Sequence, residues 1–145
     1  YPSAKGDGTL KILGENNAPA LNAIAWYGGN SEAPQGIGNA AYSGKWPEKA
    51  LQHKRASTQP VAGKLANEWG LYDMLGNVDE WCVDGPRPYH DQAETDPRGP
   101  GGGGPRVFRG GSWFSLARLV RCALRSHSPA AIEYDNLSFR LVRAQ

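Results

Sequence analysis

Two carboxylates, Asp73 and Glu80, lie on either side of Gly76 in the segment Gly-Leu-Tyr-Asp-Met-Leu-Gly-Asn-Val-Asp-Glu-Trp-Cys, residues 70–82. A hard cation such as calcium takes about six to eight oxygens, many of them backbone carbonyls, and a glycine-containing turn between two carboxylates can close such a cage. The same residues have a plainer use, in which Asp73 caps a turn and Glu80 pairs with an arginine. Soft-ligand chemistry rests on two cysteines, Cys82 and Cys122. They are too few for a disulfide scaffold and can be a pair, two buried thiols or one reactive group. His53, His90 and His127 show no metal-ligand spacing such as i and i+4.

The elements that must position these groups are short. Gly and Pro account for 19 and 11 of the 145 residues, while apolar residues reach only 39%, so turns and loops dominate. Five Trp, six Tyr and three Phe supply enough aromatic surface for a packed core and argue against a disordered chain. The length suits one domain over residues 1–145. No run approaches the length of a membrane-spanning helix, and no basic-then-apolar signal segment opens the chain.

Turn signals around Thr9 to Leu13 predict a short strand there, and Ala23 to Tyr27 reads as a buried extended element closed by Gly28-Gly29-Asn30. Residues 31–64 form a long polar loop region whose one helix candidate starts at Pro47. Asp84 to Pro105 holds five Pro and the run Gly101 to Gly104, which predicts a mobile surface loop. Beyond it, Arg106 to Arg109, Leu119 to Arg125 and Phe139 to Val142 are strand-length pieces. In the last of these, Phe139 and Leu141 share one face.

Charge is uneven. Residues 1–97 carry 8 basic and 12 acidic side chains, whereas residues 98–145 carry 8 Arg against only Glu133 and Asp135. Every base in this tail is Arg, set among apolar residues, as at Arg118, Arg121, Arg125, Arg140 and Arg143. Arg forms fixed bidentate bonds to loop carbonyls and carboxylates, so the pattern reads as structural and not as a nucleic-acid surface.

Four segments in this order, Asn67 to Cys82, Arg109-Gly110-Gly111-Ser112-Trp113, Val120 to Arg125 and Asn136 to Val142, resemble the formylglycine-generating enzyme (sulfatase-modifying factor) family. The resemblance implies an α+β, loop-rich variant of the C-type lectin fold. The family's N-terminal strand and helices, with their Pro-Gly-Gly and Glu-rich motifs, are not matched, so the expectation is a domain short of that part. Two positions depart from the family pattern: Asp79 stands where the family usually has Trp, and Ser138 where it usually has Gly.

The resemblance also implies a structural calcium site, with Asp73 and Glu80 acting through side chains and Gly76 and Val78 through backbone carbonyls. Enzymes of the family hold copper(I) between two cysteines five residues apart and oxidise a substrate cysteine to formylglycine. Cys122 matches the second of these, but Ala117 occupies the first. An oxidase built on Cys122, with copper, is therefore the alternative reading. A non-catalytic role with no catalytic residue is the principal one.

In typical members the residues between the landmarks are largely polar. Here they include Phe114, Ser115, Leu116, Leu119, Leu124, Ser126, His127, Ile132 and Tyr134. Facing solvent, such side chains make an aromatic and aliphatic surface suited to a protein or other macromolecular ligand; buried, Leu119, Leu124 and Ile132 are plain core. The arrangement is also similar to the variable region of diversity-generating retroelement proteins, which share the lectin-like fold and vary ligand contacts from adenine-rich Asn codons. Phe, Ser, Leu, His, Ile and Tyr are all reachable by changing only those adenines, and Glu133 is not.

Overall fold

The computed structural model describes residues 18–33, 56–93, 95, 99–100 and 102–142. The strand expected at Thr9 to Leu13 and the helix expected from Pro47 lie outside them. A helix, α1 (Ala18–Ile24), precedes four short strands: β1 (Asp79–Trp81), β2 (Arg106–Arg109), β3 (Ser126–Ser128) and β4 (Leu137–Ser138). They form one sheet in the order β3-β2-β1-β4. β1 and β2 are antiparallel with Glu80 opposite Arg109, β2 and β3 antiparallel with Val107 opposite His127, and β1 and β4 parallel with Asp79 opposite Leu137.

The segment at 23–27 is not a strand from its start. Ala and Leu fill α1, good helix formers that keep the backbone helical to Ile24. Only then does the chain extend, and Trp26 bridges Gly76 in parallel. Gly76 is required there: its φ is +76°, and a Cβ would sit 2.2 Å from the Trp26 carbonyl oxygen. Leu119 to Arg125 also differs from expectation. A 3-10 turn at Ala117–Leu119 spends its donors locally, with Leu119 N–H on the Leu116 carbonyl at 2.8 Å and Val120 N–H on that of Ala117 at 3.1 Å.

Phe139 to Val142 is likewise not a strand. β4 stops at Ser138, and Phe139, Leu141 and Val142 are exposed. Beyond β4 the Arg140 side chain turns back to Glu80 of β1 and to the carbonyls of Tyr72 and Asp73. Ser138 has no left-handed φ, so its Cβ is accommodated. The loop after β1 is closed at its base: Gly85 N–H reaches the Pro100 carbonyl at 3.1 Å, and Val107 N–H reaches that of Asp84 at 3.0 Å.

Two apolar clusters hold these pieces. One joins Leu21, Ala25 and Tyr27 to Leu75, Ala117 and Val120. The other sets Ala56 against Trp113, with Val78 beside them. Between them lies Asn77, buried at 5% exposure with φ +63°. Its N–H meets the Trp26 carbonyl at 2.7 Å and its carbonyl takes the Trp113 N–H at 2.8 Å. Its amide accepts the Gln59 N–H at 3.0 Å and donates to the Gln59 carbonyl at 3.1 Å.

Replacing Gly76 with Ala combines a left-handed backbone with a backbone clash, so Gly76→Ala is expected to lose about 3 kcal/mol of stability, read as a lower urea midpoint. An unchanged midpoint would mean that the Trp26 strand does not approach Gly76 closely.

Candidate functional site

A cleft of about 410 Å³ opens beside the start of β1. Asp79 from β1, Phe108 from β2, Trp113 and Phe114 from the turn after β2, and Tyr134 and Asp135 from the approach to β4 line it. The backbone beneath is tightly fixed. Ser115 N–H bonds the Ser112 carbonyl at 2.9 Å, and the Ser115 hydroxyl accepts the Ser112 N–H at 3.0 Å. The Ser31 hydroxyl donates to the Trp113 carbonyl at 2.7 Å. Across the cleft, the Asn136 carbonyl accepts the Asp79 N–H at 2.9 Å, and the Asn136 amide donates to the Ser112 hydroxyl at 2.9 Å. Phe114 stands edge-on to Trp113 at 5.6 Å between ring centres.

Asp79 is 9% exposed, and its Oδ1 accepts the Gly111 N–H at 3.0 Å. Gly111 can aim that N–H inward because it adopts φ +74°. Burial pushes the Asp79 carboxyl up from 3.8 to about 6, against the opposing pull of the Gly111 N–H and the Ser112 hydroxyl.

Of the nine positions named from sequence as contacts, the cleft brings together Phe114 and Tyr134. His127 and Ile132 are exposed outside its lining. Leu116, Leu119, Leu124, Ser115 and Ser126 are half-buried; the Ser115 hydroxyl is used in the turn, and Ser126 pairs with Phe108 in the sheet. Asp79, Phe108 and Asp135 were not among the contacts named from sequence. The signal for Asp79 was present in the sequence, as a charge at a position where the family resemblance leads one to expect Trp.

The calcium positions are split by Arg140. Its Nη2 lies 2.6 Å from Glu80 Oε1, and its Nε contacts both Glu80 oxygens at 3.1 and 3.0 Å. Nη2 also donates to the carbonyls of Tyr72 at 3.0 Å and Asp73 at 3.3 Å. Asp73 Oδ2 accepts the Ala62 N–H at 2.8 Å, whereas Asp73 Oδ1 is buried with no hydrogen-bond partner among the described residues. Two carboxylates and the carbonyls of Gly76 and Val78 fit a hard cation in donor type. Asp73 Oδ1 is the oxygen left over for it, and Glu80 would be shared with Arg140.

The copper positions do not fit. Ala117 is buried in the core at 4% exposure and brings no thiolate. Cys122 is exposed and Cys82 half-buried, both free, and they line a separate cleft of about 290 Å³ with Met74, Trp81 and Arg109. Burial and the Asp84 carboxylate push the Cys82 thiol up, with Arg109 opposing, so Cys82 is a poor thiolate. The tail arginines act largely within the fold: Arg109 donates to the Cys122 carbonyl, Arg106 to that of Gly102, and Arg125 to that of Arg87 while stacking on Tyr89.

The family model described as the sulfatase-modifying factor enzyme 1-like domain matches residues 22–145. The chain belongs to this family. Among curated members of similar sequence, the formylglycine-generating enzyme of Streptomyces coelicolor is 37% identical over 105 residues, covering 68% of this chain and 33% of that protein. The chaperone protein LppX of Paenibacillus barcinonensis is 36% identical over 132 residues, covering 91% and 41%. The serine/threonine-protein kinase pkn1 of Chlamydia caviae is 46% identical over 92 residues, covering 61% and 15%. This member of the sulfatase-modifying factor family thus spans less than half the length of these relatives. Among solved structures, Treponema denticola variable protein 1 superposes with a TM-score of 0.64 at 31% identity, over 87% of this chain and 38% of that one. The fold is the α+β, loop-rich, C-type lectin-like one of the family.

The folded family domain holds the Asp79 proton more tightly than the unfolded chain does. Stability therefore falls as pH rises from 3.8 to about 6, and the penalty, on the order of 3 kcal/mol, is fully present at pH 7. Asp79→Asn keeps an acceptor for Gly111 and removes the charge. Its melting temperature is expected to exceed that of the wild type at pH 7 and to match it near pH 4. Equal pH profiles for the two proteins would mean that the carboxylate is solvated.

Proposed function

We propose that this chain is a non-catalytic ligand-binding display module on a C-type lectin-like frame, with a contact segment diversified by a retroelement. The observation that carries this reading is a division of labour within one loop system. Ser112, Trp113 and Asn136 are fixed by hydrogen bonds to buried partners. Phe114 and Tyr134, directly beside them, are 36% and 48% exposed on the rim of the cleft. Rings presented on a preorganised backbone bind at low entropic cost, because the loop is already ordered.

Two further observations support the reading. The fold is similar to a protein whose name is variable protein 1, and the side chains at the contact positions fall in the set reachable from an adenine-rich codon. The partner is a protein or other macromolecule meeting Phe114 and Tyr134, with the exposed His127 and Ile132 extending the surface. In this reading a structural calcium ion held by Asp73, Glu80 and the carbonyls of Gly76 and Val78 stiffens the frame, and its support is Asp73 Oδ1, buried with no partner among the described residues.

The double variant Phe114→Ala, Tyr134→Ala is expected to abolish capture of a partner bound by the wild type, with a stability change below about 1 kcal/mol. A large drop in melting temperature would assign these rings to the core. Deep sequencing of the gene segment for residues 108–145 across one population is expected to find variation at Phe114, Leu116, Leu119, Leu124 and His127 over an unchanged frame; an invariant segment would remove the retroelement. Calcium is expected to raise the melting temperature of the wild type and not of Asp73→Asn. A chelator-insensitive wild type would leave Arg140 as the counter-charge among the described residues.

A further inference from the structure

We infer that the cleft beside β1 receives a cationic side chain, a lysine or arginine of a protein partner, seated on the Asp79 carboxylate between the rings of Phe114 and Tyr134. The inference rests on the ligand-binding reading above and gives it a chemistry. Its first support is the floor. Asp79 is 9% exposed, and among the described residues no Lys, Arg or His lines the cleft or pairs with it. A buried carboxylate facing a cavity without a counter-charge is an unmatched site for a cation.

The walls are the second support. Phe108, Trp113, Phe114 and Tyr134 line the same cleft as Asp79. Aromatic faces attract ammonium and guanidinium groups, more strongly when water is excluded. An anion would meet the carboxylate and the negative ring faces together, and a purely apolar group would leave the carboxylate desolvated and unpaired.

The third support is charge distribution. Residues 98–145 carry only two acids, Glu133 and Asp135, against eight arginines. Both acids flank Tyr134, and Asp135 lines the cleft. The nearby arginines are turned elsewhere: Arg109 to the Cys122 carbonyl, Arg125 to that of Arg87 and Arg140 to Glu80. The one acidic spot of a basic tail is thus at the mouth of a cavity whose floor is also acidic.

The test is a two-dimensional NMR titration of the labelled chain with four probes: the N-acetyl methylamides of lysine, arginine and norleucine, and choline. The Trp113 indole N–H, which has no acceptor among the described residues, is the reporter. Lysine or arginine amide is expected to shift that signal saturably, at least about tenfold more tightly than norleucine amide. Asp79→Asn is expected to remove the preference. Tyr134→Leu, which keeps apolar bulk at an exposed position, is expected to weaken the cations and spare norleucine, so the outcome does not depend on one variant's folding. Equal binding of norleucine amide would overturn the cation while leaving the ligand-binding reading intact. Tighter binding of choline than of either amide would overturn the peptide side chain. No shift with any probe would overturn the site itself, and the double ring variant would still decide separately whether the surface binds a partner.

Discussion

The fold depends on one buried amide. Asn77 sits in a left-handed conformation between the two apolar clusters, and its backbone and side chain together satisfy groups on segments near residues 26, 59 and 113. Those segments have almost no regular structure of their own, so they cannot satisfy their polar groups by pairing with each other over long ladders. A buried polar group left unmatched costs on the order of 1–3 kcal/mol, and Asn77 meets four such demands at once. Gly76 and Gly111 serve the same end by allowing backbone approaches and N–H directions closed to other residues. Chain segments distant in sequence are thereby held at fixed separations with very little strand.

That economy of regular structure lets a hydrogen-bonded frame and exposed rings sit side by side in so short a segment. The residues that set the backbone, Ser112, Trp113 and Asn136, point their polar groups inward, while their neighbours Phe114 and Tyr134 carry the exposed faces. Asp79 takes the Gly111 N–H, yet burial makes it a charge that folding disfavours at neutral pH.

Much of the frame was legible in the sequence, because its signals are glycines, aromatics and fixed spacings. The Arg-Gly-Gly-Ser-Trp element, the carboxylates at 73 and 80 and the strand at Arg106 to Arg109 all correspond to positions with single physical demands. The failures have separate causes. Leu119 to Arg125 has strand-like composition, but the 3-10 turn at Ala117–Leu119 spends its donors locally, while Phe139 to Val142 follows the end of β4, where Arg140 reaches back to Glu80. Alternation of apolar residues carries no information about such arginine contacts. Asp79 was visible as a departure from the family pattern, yet its place in the cleft needed the third dimension, since Phe108, Phe114 and Tyr134 reach the same cleft from three separate segments.

Both lips of the cleft are moored to the same short stretch of chain: Gly111 and Trp113 to Asp79 and Asn77, and Asn136 to Asp79. Residues 129–135, between β3 and β4, therefore span two points whose separation is set elsewhere. Closing a flexible connection costs entropy that grows only logarithmically with its length, about 0.6 kcal/mol for each doubling. Insertions there would deepen or overhang the cleft at small thermodynamic cost. The connection can thus vary in length without disturbing the sheet.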